Sequence, residues 1–287
     1  MNNNLVTGVD IGGSHITAAL IDLQSHSVIH DSMVRQAINA KGNVRGIIKQ
    51  WTNAIIDCKS FNLLCSKKIG IAMPGPFDYE KGISLISGLD KYESLYNLNV
   101  KELLADTLKI EVENIFMIND ATCFLKGEIF CGTANDCKNV VGITLGTGLG
   151  SATFNNAILY DGDLYYTPFK NQTAEDYLST RWFLKRYKEL TGIMVNNVKE
   201  ISQLVTKDEN AGLVFIEFGK NLGEVLAEYI QKHQGKKVII GGNIIRAWDL
   251  FINETKIVLN SHSIKVELLK ARLGEEAILM GAGSLCL

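Results

Sequence analysis

A chain of 287 residues, 46 % of them hydrophobic, is long enough to bury either one large core or two medium ones, and two lobes are expected. Its 29 Lys and Arg against 31 Asp and Glu leave a formal net charge of -2, which excludes the basic footprint of a nucleic-acid binder and favours a small neutral or anionic ligand. The six cysteines (Cys58, Cys65, Cys123, Cys131, Cys137, Cys286) show no C-x-x-C spacing, so neither a zinc cluster nor a disulfide framework is expected.

The opening MNNNLVTGVD has no basic n-region followed by a long apolar segment, and no later stretch approaches about 18 to 20 uncharged apolar residues. A soluble, cytoplasmic chain without membrane attachment is expected. The first element, LVTGVDIGGSHITAALID, places β-branched residues on either side of a Gly-Gly turn and is predicted to be a hairpin. Further on, KKIGIAMPG (67–75) reads as a strand, and ENIFMIND (113–120) as a short apolar strand ending in Asn-Asp. Asn119 and Asp120 are good helix N-cap types, ATCFLKGEIFC continues with helix-compatible residues, and Gly132 is a candidate stop.

A second strand, glycine turn and strand follow in VVGITLGTGLGSATF, with Gly142 to Ala152 echoing Gly8 to Ala18 at constant offset. Leu222, Val225, Leu226, Tyr229 and Ile230 recur at helical spacing, with Gly235 as the expected terminator, and KKVIIGG (236–242) reads as a buried strand. EEAILMGAGSL (275–285) is a small-residue helix suited to close packing.

Asp10-Ile11-Gly12-Gly13-Ser14 is a candidate phosphate loop. Positions without side chains let backbone N–H groups face phosphate oxygens, while Asp10 can hold Mg²⁺ through water. Gly146, Thr147 and Gly148 have the same suitability, with the Thr147 hydroxyl as an additional donor. This second loop does not follow G-x-G-x-x-G, and its glycines sit between strands instead of opening a helix, which disfavours a dinucleotide site. Asp120 stands where a carboxylate can take the proton of an attacking hydroxyl; taken alone it reads more readily as a helix cap, and its position between the two glycine loops reverses that. None of the five histidines pairs with another at metal-ligand spacing.

In order, DIGGS (10–14), AMPGP (72–76), NDATCFLKGE (119–128), GITLGTGLGS (142–151), VIIGGNI (238–244) and GEEAILMGAGSL (274–285) resemble the actin/hexokinase-type ATPase signature. More narrowly they are similar to the ROK (repressor, open reading frame, kinase) family of sugar kinases. The resemblance implies an α/β, two-lobed actin-like ATPase (ribonuclease H-like) fold with duplicated lobes and a central cleft. The N-terminal lobe would span 1–118 plus 273–287 and the C-terminal lobe 119–272.

It implies an ATP-dependent hexokinase, glucokinase-like, that transfers the γ-phosphoryl group of Mg-ATP to a hexose hydroxyl, the 6-hydroxyl by default. Asp10, Gly12, Gly13, Ser14, Gly146, Thr147 and Gly148 would serve the phosphates, with Gly241 and Gly242 beside the adenine and Asp10 on Mg²⁺ through water. Asp120 would be the general base. Gly75, Asn119, Asp120, Asp163, Tyr166 and Glu175 would meet the sugar, and a homodimer is expected.

The chain departs from the family where members carry Glu-x-Gly-His and then a cysteine-rich zinc loop. Here the sequence reads Asp163-Leu164-Tyr165-Tyr166 and then TPFKNQTAEDY, without a cysteine, so no structural zinc is expected. Tyr166 then stands in for the imidazole. The alternatives are a sugar-responsive regulator, for which a DNA-binding module would have to fit before residue 10, and a sugar-binding pseudo-kinase. Other acceptors compatible with the altered motif are another hexose, an amino sugar or a glycoside.

Overall fold

The computed structural model describes residues 4–135 and 137–287. The first part of the chain opens with strands β1 (Leu5–Ile11), β2 (His15–Asp22) and β3 (Ser27–Ala37), then helix α1 (Val44–Ser60) and strand β4 (Ile69–Met73). A small hairpin, β5 (Phe77–Asp78) with β6 (Ile83–Ser84), leads to helix α2 (Val100–Leu108), strand β7 (Ile115–Asn119) and helix α3 (Asp120–Phe130). The sheet order is β3-β2-β1-β4-β7, antiparallel through β3, β2 and β1 and parallel through β1, β4 and β7.

The period-2 alternation of strands decides what covers each face. Val9, Ile11 and Ile71 point into a large core with Trp51 and Ile55 of α1 and Leu104 of α2. Gly8, Gly70 and Ala72 point to the opposite face, where nothing larger fits. A Cβ at Gly8 would strike the carbonyl of Leu279, and one at Gly70 that of Ala282.

The second part holds β8 (Asn139–Leu145), β9 (Leu149–Asn155), β10 (Ile158–Asp161), the hairpin β11 (Pro168–Phe169) with β12 (Gln172–Thr173), and helices α4 (Ala174–Tyr177), α5 (Thr180–Thr191), α6 (Val198–Leu204) and α7 (Glu209–His233). Strand β13 (Lys237–Gly241), helix α8 (Trp248–Ser261) and strand β14 (Glu267–Lys270) complete it. Its sheet, β10-β9-β8-β13-β14, repeats the plan of three antiparallel and then two parallel additions, and β8 occupies the place that β1 has in the first. Val141, Ile143, Val238 and Ile240 meet Phe183 of α5, Phe215, Phe218 and Leu222 of α7, and Phe251 of α8 in one core. Helix α7 ends on Gln234, which takes the left-handed cap (φ 52°) expected of Gly235.

Helix α9 (Glu276–Gly283) returns to the first sheet, packing on β1 and α3. The chain thus divides into a unit of residues 1–135 with 275–287 and a unit of 136–274. Helix α3, assigned to the second lobe by the sequence boundary at 118/119, lies in the first, because its small face meets α9. A Cβ at Gly127 would strike the carbonyl of Ala277, and one at Gly281 that of Cys123. Among the described residues no helix is long and apolar enough to cross a membrane.

Candidate functional site

In the first unit the candidate residues gather at the C-terminal ends of the parallel strands, where an open α/β sheet collects ligands. Asp10, next to last in β1, is in register with Ala72 of β4, and Met73 is in register with Asn119 of β7. The Gly12-Gly13-Ser14 turn is closed by a 2.9 Å hydrogen bond from the Gly12 N–H to the His15 carbonyl. Ser14 Oγ lies 3.0 Å from His15 Nδ1, so His15 bonds to the turn's own hydroxyl. Open space lies over both glycines: a Cβ at Gly12 would meet only the His15 carbonyl at 3.4 Å, and one at Gly13 only Lys91 Cδ at 3.9 Å.

Asn119 is the N-cap of α3, its side-chain oxygen accepting from the N–H groups of Ala121 at 2.8 Å and Thr122 at 3.2 Å. Its amide nitrogen donates to the Tyr79 hydroxyl at 3.3 Å, which in turn donates to the Met73 carbonyl at 2.9 Å. Gly75 borders the same group, since a Cβ there would lie 3.1 Å from the Tyr79 hydroxyl. Capping belongs to Asn119, so Asp120 sits one residue further on, with one carboxylate oxygen accepting from the Ala121 N–H at 2.8 Å.

Burial raises the Asp120 carboxyl above the ordinary carboxylate range, opposed by the Ala121 N–H and the charge of Lys91. Asp10 is pushed up to about 6, chiefly by burial and then by the charge of Asp120, with Arg35 opposing and Glu275 adding to the rise. A buried carboxyl raised further by a neighbouring carboxylate is a recurrent feature of sites that bind cations or move protons.

In the second unit the glycine loop between β8 and β9 is held from one side. Gly146 N–H donates to the Gly148 carbonyl at 3.0 Å, and both the N–H and the hydroxyl of Thr180 donate to the Gly146 carbonyl, at 2.8 and 2.9 Å. Glu175, at the start of α4, accepts from the Leu149 N–H at 3.0 Å on one oxygen and from Arg181 at 2.7 Å on the other. Its side chain is 28 % exposed, so it is not the freely solvated helix-start acid that its position alone suggests. Thr147 is exposed beside it, and a Cβ at Gly148 would meet the Glu175 carboxylate.

Gly241 ends β13 in register with Thr144 of β8, and Gly242 (φ 88°) lies against the Leu145 backbone. The expected phosphate and adenine positions of this unit therefore share one edge of its sheet. Asp163, in left-handed conformation (φ 51°), precedes a short 3₁₀ turn, Leu164–Tyr166, that packs against α4. Tyr166 is 54 % exposed and meets Tyr165 edge-on at 4.9 Å, whereas Trp182 and Phe183 are buried in the core. Phe169 and Tyr177 meet edge-on at 5.2 Å with the Lys170 ammonium over both rings and bonded to Asn221 at 2.6 Å, so the hairpin without cysteines is fastened by side-chain packing.

Candidate sugar residues thus divide between the units, with Gly75, Asn119 and Asp120 in the first and Asp163, Tyr166 and Glu175 in the second. Sequence reasoning missed Tyr79, which fixes Asn119, Lys91, whose stem lies by Gly13 and whose charge lowers the Asp120 carboxyl, and Arg181, which holds Glu175. The first two lie in irregular segments without periodic pattern. Arg181 is signalled only by its six-residue spacing from Glu175.

The chain is similar to an N-acetyl-D-glucosamine kinase of Mannheimia succiniciproducens, with 24 % identity over 99 % of each chain. It is likewise similar to a glucokinase of Thermotoga maritima, 24 % identical over 97 % of this chain and 96 % of that one. Among solved structures it matches a ROK family glucokinase from Streptomyces griseus in complex with glucose and AMPPNP, with a TM-score of 0.79 at 21 % identity over 98 % of both chains. The ROK family model matches residues 6–164 and 170–287, and on that span the chain belongs to the ROK family.

Proposed function

We propose that this chain is an ATP-dependent sugar kinase in which Asp120 takes the proton of a hexose hydroxyl as that oxygen attacks the γ-phosphorus of ATP. The observation that carries the reading is the junction of β7 and α3. There Asn119 does the capping, which releases the Asp120 carboxylate from that task, and burial raises its affinity for a proton. Relatives named as N-acetyl-D-glucosamine kinase and glucokinase support the class of acceptor.

Asp10 offers a hard oxygen donor in a partly buried setting, and its tendency to stay protonated signals a place where positive charge is wanted. That fits a magnesium ion held through water, which would neutralise phosphate charge. The turn at Gly12, Gly13 and Ser14 and the loop at Gly146, Thr147 and Gly148 would present N–H groups to the phosphates, with Gly241 and Gly242 beside the base. Asn119, Gly75, Asp163, Tyr166 and Glu175 would orient the sugar. Tyr166, with one donor and one acceptor in place of an imidazole, can bond a hydroxyl without carrying charge. Glucose, at its 6-hydroxyl, is the default acceptor.

The test is an ADP-release screen over glucose, other hexoses, N-acetylhexosamines and β-glucosides, with the phosphorylated hydroxyl mapped on the product. At least one hexose or N-acetylhexosamine is expected to turn over. Asp120→Asn is expected to bind that sugar nearly as well while losing about 10²-fold or more in turnover, the scale of a lost general base. Near-normal turnover in that variant would refute the assignment.

A further inference from the structure

Lys91 lies in the segment between β6 and α2, and its neighbour Tyr92 fixes the backbone there. The Tyr92 ring is fully buried and meets Trp51 edge-on at 5.3 Å. Its hydroxyl donates to the Gly12 carbonyl, its N–H donates to the Ala40 carbonyl at 2.7 Å, and its φ of 56° turns the chain sharply. These ties hold the preceding residue over the glycine turn, with the Lys91 stem nearest to the open space above Gly13.

The other charges nearby are already committed. Asp90 pairs outward with Lys41, and Arg35 pairs with Glu275 at 3.7 Å. Lys91 is only partly exposed, and among the described residues no carboxylate lies within ion-pair distance of it. The acid that senses its charge is Asp120. Lys91 is thus a cation without an ion-pair partner among the described residues, its stem beside the Gly12-Gly13 turn and its charge felt by a buried carboxylate.

We propose that Lys91 is a catalytic cation of phosphoryl transfer, its ammonium binding the terminal phosphoryl group of the nucleotide above the Gly12-Gly13 turn. This rests on the kinase reading above. Asp10 and Asp120 are two acids in a site that must also take a polyanion, and the transferring group spreads its charge over three equatorial oxygens. In the step, the bond from the bridging oxygen to the γ-phosphorus breaks and its electron pair leaves with ADP. The sugar oxygen bonds to phosphorus, and the sugar proton passes to the Asp120 carboxylate. Lys91 keeps its protons and supplies charge alone.

The experiment uses the full chain and the best acceptor from the ADP-release screen, comparing wild type, Lys91→Met and Lys91→Arg for kcat, both KM values and thermal midpoint. Lys91→Met is expected to lose about 10²- to 10³-fold in kcat, the scale of one lost charge-stabilising donor. Its sugar KM should stay within about threefold and its midpoint within a few degrees, because Lys91 supports no packing core, and Lys91→Arg should recover at least a tenfold part of the loss. Turnover of Lys91→Met within about threefold of wild type would overturn the proposal. So would a loss confined to the sugar KM, or no recovery in Lys91→Arg. A wild-type chain that releases no ADP with any acceptor overturns the kinase reading itself, and this proposal with it.

Discussion

Asp10 shows at the scale of one residue how a site is maintained against the stability of the fold. Its carboxyl is raised from 3.8 to about 6 mainly by burial, so the folded chain holds that proton more tightly than the unfolded one. The group therefore favours folding below about pH 4 and progressively disfavours it as pH rises through about 6. At pH 8, without nucleotide or divalent ions, Asp10→Asn is expected to melt above wild type by a few degrees, corresponding to at most about 3 kcal/mol. At pH 4 the difference should vanish, and the variant should be a poor kinase at any pH. Equal midpoints at pH 8, measured by calorimetry in chelator, would show that burial of this acid costs the fold nothing.

The glycines distinguish two uses of one residue type at the scale of elements. Gly281 of α9 faces the Cys123 carbonyl of α3, so a side chain there must push two helix backbones apart, whereas no atom lies within 4 Å of a Cβ placed at Gly146. Gly281→Val is expected to destabilise the protein by about 3 kcal/mol, the upper range for forced overpacking. Gly146→Ala is expected to keep the wild-type midpoint within a degree or two while raising the ATP KM about fivefold or more, because the space it fills is the one a phosphate would need in the nucleotide site proposed above. Denaturant titration and steady-state kinetics on the two variants check both halves, and a Gly146→Ala enzyme with unchanged ATP KM would remove that loop from the nucleotide site.

The strands and most helices were legible because their patterns are local. β1 and β13 are short apolar runs, and α7 carries its apolar positions at helical spacing. The stop of α7 was not legible to the residue, because Gln234 accepts a left-handed conformation that glycine adopts more cheaply. Tyr79, Lys91 and Arg181 were not legible at all. Each is a lone polar side chain whose task depends on a neighbour brought close by folding.

At the scale of the whole molecule the faint echo between Gly8–Ala18 and Gly142–Ala152 stands for a complete duplication of sheet plan, with β1 and β8 in equivalent places. The candidate residues were legible as ordered motifs at strand ends. The border between the units was not, because the partner of α3 is α9, about 150 residues later in the chain, and no local pattern reports so distant a contact. A sequence boundary drawn at the Asn119-Asp120 motif therefore cut away a helix that the first unit keeps.

That discontinuity has a consequence for the order of assembly. A ribosome delivers residues 136–274 in one stretch, so the second unit can close while translation continues, but residues 1–135 must wait with one sheet face uncovered until 275–287 emerge. Expressed separately, 136–274 is expected to unfold cooperatively in denaturant. The 1–135 fragment should be collapsed and dye-binding until a peptide of residues 275–287 is added, and a cooperative transition in that fragment alone would disprove the dependence. The segment made last thus locks the segment made first, and nascent chains halted shortly before it should be preferred clients of chaperones.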